Sequence, residues 1–217
     1  MLKVTYFGTT TLLFDDGKDQ ILFDAHVTRP SLIKYAGGAK EKTNKALCDK
    51  LIRLHKIRRL RAVFISHTHH DHVMDAPYIA GRCGAMIYGS ESARNVALGG
   101  GLPEDRIVVF GHGSCYTIGE YKISILASLH SKPTILNNDL GQPIPEPLEQ
   151  PAGLREYKEG GSYDFFVEHG DRKILIRPSF NYIKGQLDGI QADILFLGVA
   201  GIAKADPEME KIFFAET

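Results

Sequence analysis

The segment Ser66-His67-Thr68-His69-His70-Asp71-His72 constrains this chain more than any other stretch. Four histidines and an aspartate fall within residues 67–72, and packing does not account for such a cluster. Buried imidazoles need partners, and exposed ones have no reason to gather. Directly before the cluster, Ala62-Val63-Phe64-Ile65 is a short, wholly apolar run that predicts a strand. That strand delivers the histidines to a loop at a sheet edge. In an extended segment His67 and His69, two residues apart, point the same way. Asp71 and His72 follow one turn later. Neutral imidazole and carboxylate are ligands that divalent zinc, iron and manganese accept.

The flanking sequence places this segment in a mixed α/β chain. Val4–Phe7, Thr10–Phe14 and Gln20–Phe23 read as strands, with Asp15-Asp16-Gly17 as turn chemistry and Asp24 closing the third. Residues 31–40 are loop-like, and Thr43 caps a helix running to about Ile57. After the cluster the pattern gives a helix over Ala76–Arg82, a strand over Ala85–Tyr88 and a helix over Ser90–Leu98. The triplet Gly99-Gly100-Gly101 ends that helix. Strands follow at Ile107–Phe110 and Tyr121–Ala127. From Ser131 to Gly161 there is little periodicity, and prolines stand at 133, 143, 145, 147 and 151. A loop this long inside a compact domain reads as a lid or binding loop. Strands resume at Tyr163–Glu168 and Lys173–Arg177 around the turn His169-Gly170-Asp171, then at Asp193–Gly198, before a helix over Pro207–Ala215. Strands so often consecutive do not make a simple βαβ wind, which points to packed sheets with outer helices.

Charge and cysteine usage narrow the functional classes. Lys plus Arg and Asp plus Glu number 26 each, so no net charge draws the chain to nucleic acid or an anionic membrane. The basic run Lys56–Arg61 reads as the solvated end of a helix. No apolar run approaches the ~20 residues that span a bilayer. Cys48, Cys83 and Cys115 are an odd set without short spacings, which predicts three buried free thiols in a reducing compartment. The first residues, Met1–Tyr6, enter a strand pattern without a signal-peptide layout, and the expected location is cytoplasmic. At 217 residues the size prior is one domain, 1–217.

His67-x-His69-x-Asp71-His72, after an apolar strand, resembles the His-x-His-x-Asp-His signature of the metallo-β-lactamase superfamily. The resemblance extends over nearly the whole chain. It implies an αββα sandwich of two mixed sheets flanked by helices. It also implies that His67, His69 and His130 form a first metal position, and that Asp71 and His72 belong to a second. His70 is then a neighbour rather than a ligand. Asp71 would orient the nucleophile or accept its proton. Asp24 would fix a histidine tautomer or else serve only as a strand-end turn residue, and His26 would line the pocket or, as a loop histidine, stand in solvent. His55, His112 and His169 have no implied role.

Two departures stand out. Where the family carries a bridging carboxylate in a Gly-Asp-Thr-like turn, this chain has Arg177-Pro178-Ser179-Phe180. The neutral hydroxyl of Ser179 is a poor substitute for an anionic bridge. The family's last histidine has no counterpart either, because no histidine follows His169; on this reading the C-terminal strand is missing. The resemblance therefore implies one ion rather than two, with zinc first and manganese or iron(II) as alternatives. The implied activity is that of small stand-alone, lactonase-related hydrolases. In these a metal-generated hydroxide attacks a small ester, lactone or phosphodiester, with no nucleic-acid or membrane partner. The alternative is a catalytically weak or inactive relative that binds metal or ligand, because of Ser179 and the absent histidine. A di-iron redox role needs two well-held metals, and the missing ligands count against it. Oligomeric state is not legible.

Overall fold

A computed structural model describes residues 1–30, 38–132, 138–200, 202 and 207–215. In chain order the N-terminal half contains β1 (Lys3–Gly8), β2 (Thr11–Asp15), β3 (Gln20–Phe23), β4 (Lys40–Glu41), α1 (Lys45–Leu54) and β5 (Leu60–Phe64). There follow α2 (His70–Val73), α3 (Ala76–Cys83), β6 (Met86–Gly89), α4 (Glu91–Gly99) and β7 (Ile107–Val109). The C-terminal half contains β8 (Cys115–Ile118), β9 (Tyr121–Ser128), β10 (Ala152–Gly153), β11 (Ser162–His169), β12 (Arg172–Arg177), β13 (Ile194–Leu197) and α5 (Pro207–Ala215).

One mixed sheet has the order β1-β2-β3-β5-β6-β7, the other β13-β12-β11-β9-β8, and β4 pairs with β10 as a short ribbon. Hairpins join the antiparallel β1, β2 and β3, whereas helical crossovers carry the parallel steps from β3 through β5 and β6 to β7. Strand periodicity then decides which side chain goes where. Leu12, Phe14, Ile21, Phe23, Ala62 and Phe64 enter the space between the sheets, and meet Ile123, Ile125, Phe165, Val167, Ile174 and Ile176 from the other side. Phe23 sits 5.1 Å, centroid to centroid, from Phe165 across that interface. The alternate residues Leu13, Leu22, Val63, Ile65 and Ile87 face outward, under the helices, with Ile79, Ala80, Val96 and Ala97. Each side chain of this size contributes about 1.5–3 kcal/mol on full burial. The sandwich of two mixed sheets with flanking helices is thus present as expected.

Several local expectations are corrected. Asn44, not Thr43, caps α1 by accepting the Leu47 N–H at 3.1 Å, because the Thr43 hydroxyl instead donates to the Met74 carbonyl at 2.9 Å. The helix stops at Leu54, short of Ile57, as Lys56 turns to φ 52°. The basic run is therefore not a helix end. It forms the connection into β5, where Arg59 and Arg61 pair with Asp15 and Asp19 of the β2–β3 turn. Strand β8 was not expected; its exposure alternates, as befits a sheet edge, so it lacks an apolar run. Cys115 lies on it and is exposed, Cys83 is half-buried, and only Cys48 is fully buried. Parts of the expected loops at 31–40 and 131–161, namely 31–37 and 133–137, lie outside the described residues. Among the described residues no helix is long and apolar enough to cross a membrane.

A buried ion pair holds the far face of the second sheet. Arg177 Nε donates to Asp164 Oδ2 at 3.0 Å, both side chains being 2% exposed. The same guanidinium donates to the Asn181 carbonyl at 3.0 Å and lies over the Phe213 ring of α5. Burial pushes the Asp164 carboxyl up to about 6, although Arg177 opposes the shift. Arg177→Ala is expected to lower unfolding free energy by about 3–5 kcal/mol in a urea titration, since it leaves a buried carboxylate without its counter-charge. The double variant Asp164→Leu/Arg177→Met is expected to lose clearly less, because apolar replacement of both partners removes the unpaired charge.

Candidate metal centre

The site begins with Asp24, at the end of β3. Its backbone adopts φ 51°, a left-handed conformation that aspartate tolerates better than most residues. It is held there by a full set of hydrogen bonds. Asp24 N donates to the Phe64 carbonyl at 2.8 Å, and Oδ1 accepts the Ser66 N–H at 2.8 Å. Oδ2 accepts from the Thr10 hydroxyl at 2.5 Å and the Ser66 hydroxyl at 2.8 Å, and lies 2.7 Å from His72 Nδ1. One buried carboxylate therefore gathers the ends of β2, β3 and β5 and the first turn of α2. It also fixes His72 with Nε2 turned away, 3.7 Å from Asp71 Oδ2. Asp75, fully buried, similarly ties down the chain after His26 by accepting the Val27 and Thr28 N–H groups.

The structure brings His67, His69 and His130 together. One nitrogen from each lies within 4.8 Å of the others. His69 Nδ1 and His130 Nε2 are 3.2 Å apart, and the buried His67 Nε2 has no hydrogen-bond partner. A shared proton could explain the facing pair, but not the orphaned third nitrogen. With Zn–N bonds of 2.0–2.1 Å, tetrahedral geometry places ligand nitrogens about 3.4 Å apart. The donor set thus fits a small divalent cation. Burial, aided by the neighbouring imidazoles, holds His67 well below the usual histidine range and lowers His130 as well. Both shifts favour the neutral imidazole, the form that ligates a metal.

His130 arrives from the other sheet, two residues past β9, and is seated from behind. Asn181 Nδ2 donates to its carbonyl at 2.7 Å, and Phe180 N donates to Ser131 Oγ at 3.0 Å. The Arg177 contact to Asn181 connects this seat to the buried ion pair.

These groups open onto a cavity of about 770 Å³. His67, His69, His130, Asp71, His72 and Ser179 all line it, and His70 joins them. Asp24 lies behind the wall. His26 does not line it either; its Nδ1 lies 3.0 Å from the Thr9 hydroxyl, and its ring stands 6.2 Å from that of His70. Burial acts to raise Asp71, but the facing His72, His70 and His26 hold it down at about 2. Of the residues bordering the proline-rich segment, Tyr157 and Lys158 reach the cavity, while Tyr163 packs against Phe110. Sequence reasoning gave no role to Thr10, Lys132, Arg155 or Asp139, none of which belongs to a motif. His169 is not an idle turn residue: its Nε2 lies 3.1 Å from Asp16, joining two hairpin tips.

Burial holds His26 near 4 and His67 far below 6.5, so both bind protons more readily in the unfolded chain. The stabilisation they give is full above about pH 6.5 and is lost as pH falls through their folded values. For chelator-treated protein, thermal unfolding is expected to drop steadily between about pH 6.5 and 4. His26→Asn is expected to flatten that slope.

The model of the metallo-beta-lactamase superfamily matches residues 5–176. A protein of Myxococcus xanthus named as a metal-dependent hydrolase is 29% identical over 111 residues. That alignment takes in 49% of this chain and 39% of the relative's length. Among solved structures, a motif mutant of the Cronobacter sakazakii metallo-beta-lactamase is similar with a TM-score of 0.55 at 16% identity, over 98% of this chain and 89% of the other. Rm3 metallo-beta-lactamase gives 0.53 at 13% identity, over 94% and 83%. At those identities the likeness is one of fold. The family match, by contrast, runs from β1 into β12 through both histidine segments, and this chain belongs to the metallo-beta-lactamase superfamily.

Proposed function

We propose that this protein is a metal-dependent hydrolase of small anionic substrates, holding one divalent cation, zinc first, at His67, His69 and His130. The observation that carries the proposal is the buried, unpartnered His67 Nε2 facing two further imidazole nitrogens. Family membership and the name of the Myxococcus relative favour hydrolysis. An ion at this position supplies Lewis acidity and lowers the pKa of water from about 15.7 to about 7.

The chain's own groups supply the rest. Asp71 is ionised on the cavity wall, where it orients a water and accepts its proton. Asp24 keeps His72 in one tautomer, with Nδ1 engaged and Nε2 toward Asp71. Lys132, Arg155 and Lys158 line the same cavity, where the acidic side chains, Asp71 and Asp139, are each next to imidazoles. That balance favours an ester, lactone or phosphodiester carrying negative charge.

The second position supports the reading of a single ion. Among the described residues, no third His, Cys, Asp or Glu joins Asp71 and His72 within the spacing that unites the three histidines. Ser179 brings only a buried hydroxyl to the wall. The same observation supports the rival reading, a weak or inactive relative that binds metal or ligand.

Metal analysis of protein purified without chelator is expected to find about one ion per chain, lost in His67→Ala. Hydrolysis of a lactone or phosphodiester panel by wild type, abolished in Asp71→Asn with the ion retained, decides for the enzyme; retention of the ion with no turnover decides for the binding relative. With an anionic substrate, Arg155→Glu/Lys158→Glu is expected to raise KM about tenfold while changing kcat less.

A further inference from the structure

His69 uses both of its nitrogens. Nδ1 turns toward His130 Nε2, and on the opposite side of the ring Nε2 lies 3.1 Å from Asp139 Oδ1. Asp139 is 8% exposed and belongs to the proline-rich segment, 70 residues along the chain. A carboxylate at Nε2 keeps the proton on that nitrogen, which leaves the Nδ1 lone pair to face His67 and His130. Asp139 thus engages the ring on the side away from the convergence point.

The segment carrying Asp139 is firmly built. Its carbonyl accepts the Gln142 N–H at 2.9 Å, and the Gln142 carbonyl accepts the Gly160 N–H at 3.0 Å. Glu159, 4% exposed, accepts the Gly141 N–H at 2.7 Å and the Ser162 hydroxyl at 2.5 Å. Its own carbonyl accepts the Thr68 N–H at 2.9 Å, between His67 and His69. Gly160, at φ 68°, passes so close to Thr68 and Ser92 that a Cβ there would overlap both. Farther along, the Ile144 N–H donates to Ser92 Oγ at 2.9 Å, and Asn95 Nδ2 donates to the Ile144 carbonyl at 2.7 Å. From Asp139 onward, the stretch expected to be a lid or binding loop is therefore braced against α4 and against the histidine loop itself.

We propose that Asp139 is a positioning residue for the metal centre: it fixes the tautomer and ring plane of His69, with Glu159 bracing the backbone that carries it. This rests on the reading of His67, His69 and His130 as the metal position. The test is competition of zinc against a chromophoric chelator, together with the visible spectrum of the cobalt(II) form. It uses wild type, Asp139→Ala, Asp139→Asn and the similarly shaped Asp139→Leu. The expected result is a zinc affinity lowered about 10–100-fold in Asp139→Ala and Asp139→Leu, with an altered cobalt spectrum. Asp139→Asn, which keeps an acceptor oxygen, is expected to recover most of the affinity. Unfolding temperatures of the chelator-treated forms should stay close to wild type. If Asp139→Ala fails to fold, the leucine variant carries the comparison. Wild-type affinity in the alanine or leucine variant overturns the role of Asp139 and leaves the metal reading standing. Equal loss in the asparagine and alanine variants also overturns it, since the acceptor would not matter. Failure of wild type to bind zinc or cobalt overturns the metal reading, and this proposal with it.

Discussion

The Asp24 carboxylate is the interaction on which the site depends. Four donors from three chain segments converge on a buried side chain, and its backbone is held at positive φ. A hydrogen bond to a charged group contributes roughly 1.5–3 kcal/mol, and an orphaned buried donor costs a similar amount. The four contacts consequently stand or fall together. Through Ser66 the carboxylate sets where β5 ends, hence where His67 and His69 begin. Through His72 it orients the start of α2. The left-handed conformation is held because the Asp24 N–H and both carboxylate oxygens are hydrogen-bonded.

Around this node the two sheets divide the labour. The first supplies the histidine cluster from the carboxyl end of a parallel strand, where loops have room to carry chemistry. The second supplies His130 on a loop seated by Asn181 and Ser131, which the Asp164–Arg177 pair holds in turn. A buried ion pair is weak evidence for stability in itself, because desolvation offsets attraction. Here it organises a turn directly behind a candidate ligand.

Much of the fold and part of the site was legible in the sequence, for identifiable reasons. Strands with one or two buried faces leave apolar runs, so β2, β3, β5, β11 and β12 could be read. The histidine cluster is legible because its spacing is chemical, not statistical. Edge strand β8 buries only alternate, mixed residues and left no such trace. The Thr43 cap failed because a tertiary partner, the Met74 carbonyl, claims its hydroxyl. Asp139 and Glu159 were illegible in principle. Their significance arises only when a segment without periodicity folds back over His69 and Thr68, and nothing local encodes that return.

The three convergent imidazoles come from both sheets, and His69 and His130 stand 61 positions apart in the chain. Any cation shared between them is therefore a covalent-like strap across the sandwich, closing a long loop near its open end. For a disulfide, a ring of this size would remove denatured-state entropy worth about 4 kcal/mol. On that reading occupancy and mechanical integrity become one variable: a cation that filled this position would also lace the two halves of the sandwich together.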